Sequence, residues 1–191
     1  MKFLTILILA VFFGCTTDLK ENNMDDINQK TSDVMKSKEG LQIIHHNFAA
    51  HCFNKTWEYI EKETLSEEDK EDMITASYAS LWHWKKRTDC TDQNLSIAYW
   101  QLGRVHCLAG KLQTAEEFGQ KCLKVSEDGK LTPFFKGYAY EVLLNVSVLK
   151  KDWVQAKKYL SLAEEQLTQV KDKENQGYLK KDLIKWEKMI K

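Results

Sequence analysis

A single proline, Pro133, and eight glycines are all the strong breakers of regular structure in this 191-residue chain. No stretch alternates apolar and polar residues as a half-buried strand does. Apolar residues recur instead at intervals of three and four, the period of an amphipathic helix, so the chain is expected to be all-α. The pattern predicts seven helices, at about 40–62, 66–86, 92–109, 112–127, 133–150, 152–170 and 174–190.

Capping chemistry supports several of these ends. Ser66 precedes Glu67, Glu68 and Asp69, so its hydroxyl can cap free amides while the acids oppose the positive end of the helix dipole. Thr132 and Pro133 read as an N-cap followed by proline at the first helical position, where its missing N–H costs nothing. Gly110 and Gly129 stand where helices are expected to stop in a left-handed residue.

The amino terminus follows other rules. MKFLTILILAVFFGC carries one cation at Lys2, an apolar run from Phe3 to Phe13, then Gly14 and Cys15. The run is too short for a membrane-spanning helix, which needs about 20 apolar residues, and reads as the core of an export signal. A cysteine after a small residue at the end of such a run resembles the bacterial lipobox, although Phe12 and Phe13 stand where an aliphatic and then a small residue are usual. The resemblance implies cleavage after residue 14 and acylation of Cys15; a plain secretory signal or an uncleaved anchor are the alternatives. Residues 15–39 are polar with scattered single apolar side chains, and are expected to form a flexible tether. Residues 40–191 then make one domain with room for a core.

Two predicted hairpins share a spacing. SIAYWQLGRVHCLAGKLQTAEEFGQKCL, from Ser96, sets out Tyr99, Leu102, Gly103, Gly110, Ala115 and Cys122; the stretch from Gly137 sets out Tyr140, Leu143, Ala156 and Ala163. These positions resemble the tetratricopeptide repeat, with small residues where the second helix crosses the first. Ala115 and Ala156 are 41 residues apart, and the excess over the standard repeat falls in SEDGKLTPFF. The resemblance covers about 95–170 and implies antiparallel hairpins stacked as a short right-handed solenoid, whose concave face holds a protein or peptide.

On that spacing, Ile97, Trp100, Arg104 and Leu108 share one concave stripe, and Tyr138, Glu141, Asn145 and Val148 the next. Trp100, Arg104, Tyr138, Glu141 and Asn145 are therefore the candidate partner-binding residues. Arg104 and Glu141 could face one another, either as an ion pair between repeats or as a ligand-contacting pair. His83, between Trp82 and Trp84, is expected to be a packed residue bonded to backbone, and Lys85, Lys86 and Arg87 to cap the same helix end.

Other chemistry is poorly supported. His46 and His51 would lie about 140° apart around a helix, and His45 and His51 about 120°, so they do not converge on a metal. Cys52, Cys90, Cys107 and Cys122 include no C-x-x-C pair; in an exported chain they allow disulfides without requiring them, and reduced, buried thiols are the expectation. No zinc-protease, nucleophile-elbow or phosphate-loop motif occurs, and no cofactor is implied. The 28 basic residues balance 28 acidic ones, and loss of residues 1–14 removes only Lys2, leaving 27 against 28. No broad basic field is available for nucleic acid. The expected function is that of a lipid-anchored envelope protein holding a protein or peptide partner. The alternatives are an enzyme or small-molecule binder with a pocket around His83, Arg104 and Glu141, and a structural subunit of an envelope assembly.

Overall fold

The computed structural model describes residues 24–190. The export signal, Cys15 and the first part of the expected tether lie outside the described residues. Within these bounds the chain forms eight α-helices and no strand: α1 Met24–Lys36, α2 Lys38–Ile60, α3 Glu67–Lys86, α4 Asp92–Leu108, α5 Leu112–Asp128, α6 Pro133–Leu149, α7 Trp153–Gln169 and α8 Lys173–Glu187. The seven helices expected from periodicity are α2 to α8. The additional α1 falls inside the segment expected to be a tether.

Local chemistry fixes most boundaries. At the start of α3, Ser66 Oγ accepts from the Asp69 amide at 3.0 Å and the Asp69 carboxylate accepts from the Ser66 amide at 3.1 Å, a reciprocal box that satisfies two otherwise free donors. Thr91 and Asn94 repeat the arrangement at α4, and Asp152 and Asp172 cap α7 and α8. Two expectations need correction. Thr132 makes no side-chain cap bond, so Pro133 alone, with its preset φ, marks the start of α6. Gly110 does adopt the left-handed conformation, φ 72°, but Gly129 keeps φ −75°, and the left-handed residue after α5 is its neighbour Lys130, φ 50°. The helix simply runs one residue further before it reverses.

Packing follows chain order. The closest partnerships are α2 with α3, α4 with α5 and α6 with α7, each joined by a short loop. Contacts also link α2 to α4, α4 to α6 and α6 to α8, whereas the backbones of α3, α5 and α7 stay apart and meet through side chains, Tyr78 with Phe118 and Gln120 with Tyr159. Small residues make the tightest crossings possible. A Cβ on Gly103 would stand 2.7 Å from Val142, so only glycine lets α4 approach α6 here. Ala115, Ala156 and Ala163 are fully buried at the positions expected for crossings.

The core has two main clusters. One joins α3, α4 and α5 through Met73, Leu81, Ala98, Leu102, Val105 and Phe118. The other joins α6, α7 and α8 through Leu144, Val148, Ala163, Leu179, Leu183 and Trp186. Cys107, Ala115 and Val146 lie between them. All four cysteines among the described residues are free thiols, and burial pushes both Cys107 and Cys122 up to about 12. Neither is a thiolate at neutral pH.

Candidate functional site

The side formed by α2, α4, α6 and α8 gathers the expected binding residues. Trp100 and Arg104 are one turn apart on α4, as are Tyr138 and Glu141, then Asn145, on α6, so equivalent turns of two neighbouring helices meet. Trp100 packs edge-on against Tyr138, with ring centroids 5.4 Å apart. Its indole N–H donates to Glu141 Oε2 at 3.1 Å.

Glu141 is the hub of this side. It is 1% exposed, and its second oxygen accepts a bond from the Trp186 indole of α8 at 2.6 Å. One carboxyl thus ties α4, α6 and α8 together. Burial pushes the Glu141 carboxyl above the ordinary carboxylate range; the nearby Arg104 charge and the two indole N–H groups pull the other way, while Asp182 adds to the push. Tyr138 donates to Asp182 of α8 at 3.1 Å, and burial, reinforced by Asp182 and Glu141, raises its hydroxyl well above the usual range.

This geometry corrects the expected Arg104–Glu141 pair. Among the described residues, Arg104 makes no ion pair within 4 Å. Its half-buried guanidinium lies instead over two indoles, 5.7 Å from the Trp57 ring centre and 5.4 Å from that of Trp100. Glu141 is enclosed, so it positions Trp100 and does not itself reach a partner. Asn145 is also buried, and its Oδ1 has no hydrogen-bond partner. Of the five expected residues, Trp100, Arg104 and Tyr138 keep partial exposure. Leu108, one turn beyond Arg104, is exposed, while Val148 belongs to the core.

Trp57, Asp182 and Trp186 were missed in the sequence. Trp57 and Trp186 come from helices outside the repeat-like region, and what joins Trp186 to Glu141 is a tertiary contact across 45 residues. The one available signal was the presence of Asp182 and Trp186 four residues apart in a strongly charged final helix.

His83 stands in a separate aromatic cluster on α2 and α3. It bonds no backbone group; its Nδ1 lies 2.9 Å from Nδ1 of His45, so one imidazole donates and the other accepts. Phe48 stacks on His83 at 5.3 Å, and Trp82 meets it edge-on at 4.8 Å. Burial, with His45 alongside, lowers the His83 pKa and so favours the neutral ring. At the helix end, Arg87 makes a bidentate pair with Asp89 at 2.8 and 2.6 Å and covers Trp84, while Lys86 lies over Trp82.

A second buried histidine, His106, stacks in parallel on Phe118 at 5.7 Å and meets the Tyr78 hydroxyl at 3.2 Å through Nε2; its Nδ1 is unpaired. Burial lowers its pKa too. Among the described residues no group of three or more histidine, cysteine or acidic side chains is placed to hold a metal ion.

Two shallow depressions accompany α2. One, of about 360 Å³, is lined by Gln42, Ile43, His46, Arg87, Thr88 and Asp89. The other, of about 490 Å³, lies between α1 and α2. Neither contains Arg104 or Glu141, and neither joins them to His83. Comparison with protein-family models, with curated proteins and with solved structures finds no match to this chain.

Proposed function

We propose that the chain is a lipid-anchored bacterial envelope protein whose tetratricopeptide-like domain holds a protein or peptide on a concave face built from α2, α4, α6 and α8. The contact order supports this architecture. First helices whose backbones approach in series, beside second helices whose backbones stay apart, fit a stack curved toward the first helices. The apolar run ending at Cys15 supports the anchor.

The observation that carries the binding reading is Arg104. Its guanidinium is held over Trp57 and Trp100 with no carboxylate in ion-pair distance among the described residues. Arginine presents a planar fork of donors that matches a carboxylate in two parallel bonds. The partner is therefore one that brings a carboxylate, an acidic side chain or a chain terminus, to Arg104 and lays apolar groups against Trp100 and Tyr138.

A photo-crosslinking residue at Leu108, one turn from Arg104, tests this in the native membrane. The expected result is a discrete crosslinked partner that is lost in Arg104→Ala while the melting temperature stays almost unchanged. An undiminished crosslink in Arg104→Ala overturns the assignment. The anchor is tested separately: Cys15→Ala is expected to lose both lipid mass and membrane fractionation, and a variant that keeps both refutes it.

A further inference from the structure

Exposed apolar side chains concentrate at the amino-terminal end of the fold. Met35 of α1 is 55% exposed, Phe48 of α2 49% and Trp82 of α3 52%, with Ile27, Val34 and Ile43 exposed beside them. Val34, Met35, Ile44 and Phe48 line the 490 Å³ depression between α1 and α2, together with Lys30 and Thr31. Phe48 continues onto His83 and His83 onto Trp82, so these residues form one surface from α1 to α3. A contiguous apolar patch of this kind, rimmed by polar groups, marks an interaction surface.

Its chemistry suits a lipid–water boundary. Trp82 is an exposed indole with the Lys86 ammonium 5.5 Å from its ring centre, and Lys30 lies on the rim of the depression. Indole rings settle at headgroup depth, and lysines bury their stems while their ammonium groups meet phosphates. The chain that precedes the patch is also short. Met24 opens α1 nine residues after Cys15, a span of at most about 30 Å when fully extended.

We propose that the α1–α2–α3 end rests on the bilayer surface, with Met35 and Phe48 among the lipid tails and Trp82 and Lys86 at the headgroups. The proposal rests on the anchor reading, since acylated Cys15 brings this end of the domain to the membrane. Contact along the patch then fixes how the domain stands on the membrane. A second copy of the chain is the rival occupant. It is disfavoured because the nine residues between Cys15 and α1 hold this end of the domain against the bilayer that carries the acyl chains.

The test uses the full acylated protein reconstituted in vesicles of phosphatidylethanolamine and phosphatidylglycerol carrying brominated acyl chains, with quenching of tryptophan emission as the readout. Wild-type protein is expected to be quenched, and Met35→Glu/Phe48→Glu to lose most of that quenching while still floating with the vesicles through its acyl chains. Met35→Glu alone, at an exposed site on α1, serves as the second variant in case Phe48→Glu unfolds the hairpin, and should give a partial loss at unchanged helical content. Equal quenching in wild type and variants overturns the proposal, as does a wild type that is not quenched but dimerises in solution through these residues. The mass of the amino-terminal peptide reports acylation independently, so a missing anchor is distinguished from a missing contact.

Discussion

The α4–α6–α8 side and the α2–α3 hairpin use the same residue types to opposite ends. On the first, the Trp100 and Trp186 indoles both finish on the buried Glu141, and the polar groups are enclosed by the helices they join. On the second, Trp82 stays at the surface, and the polar partner of His83 is another half-exposed histidine. The difference begins at the crossings. Gly103, Ala115, Gly119 and Ala163 let α4 to α7 close until side chains from a third helix meet in the gap. The α2–α3 crossing is built from Ala49 and Ser80, joined by a 2.9 Å bond from the serine hydroxyl to the alanine carbonyl. The third helix at its outer end, α1, meets α2 across an open depression, so that hairpin leaves its aromatic rings partly in water. Enclosure turned a candidate binding residue, Glu141, into a tie; exposure left Trp82 and Phe48 free to meet something else.

The sharpest way to break this comparison is Glu141→Ala. It removes the acceptor from two indole N–H groups, one buried and one partly so, and is expected to cost about 2–4 kcal/mol at about 1–3 kcal/mol per stranded buried donor. His83→Ala should cost clearly less, since its ring and its partner both reach water. Chemical denaturation of the two variants measures the contrast. A Glu141→Ala protein as stable as wild type would mean that the carboxyl is not a tie.

Local chemistry was readable in the sequence and long-range pairing was not. Pro133, Ser66 and Gly110 marked ends that the structure keeps, because a cap or a fixed φ acts within a few residues. Ala115 and Ala156 were recognisable because small residues at a fixed spacing imply close crossings, and both are fully buried. Trp100, Arg104, Tyr138 and Glu141 lie together, yet which of them would be enclosed depended on α8, whose Trp186 reaches Glu141 across 45 residues of sequence. The His45–His83 pair spans 38 residues, and a helical wheel drawn for one helix at a time could not find it. The left-handed turns at Lys130 and Lys151 were hidden for another reason: lysine carries no turn signature, and each is imposed by the helix it ends.

A smaller effect is expected from the crossing itself. Ala156 is fully buried in the cluster that joins α6, α7 and α8, so Ala156→Leu should overpack it at a cost of about 1–3 kcal/mol. A leucine at exposed Val154, two residues earlier on α7, should have almost no effect. Equal melting temperatures for Ala156→Leu and Val154→Leu would show that the α6–α7 contact is loose, and the contrast between the two halves of the molecule would weaken.

The smallest expected effect is a pH dependence in which His83 and Glu141 act with opposite sign. His83 has a folded pKa below its ordinary 6.5, chiefly through burial and then through the His45 beside it. Between the two values the unfolded chain binds more protons than the folded one, so the stability contributed by neutral His83 is complete above 6.5 and is lost as pH falls through its folded pKa. Buried His106 acts in the same direction on the α4 side. Glu141 acts in the opposite one: its carboxyl is raised above 4.5, so the folded chain takes up that proton first and gains stability as pH falls. Because the terms overlap in the wild type, the measurement is the difference between variants. The gap in melting temperature between wild type and His83→Gln should narrow as pH is lowered from about 7 to about 5, the range in which histidine changes charge. The gap between wild type and Glu141→Gln should widen in the wild type's favour over the acidic part of that range. Parallel profiles for wild type and His83→Gln would show that the histidine pair is as well solvated as free imidazole, and that the α2–α3 end buries less than its ring contacts imply.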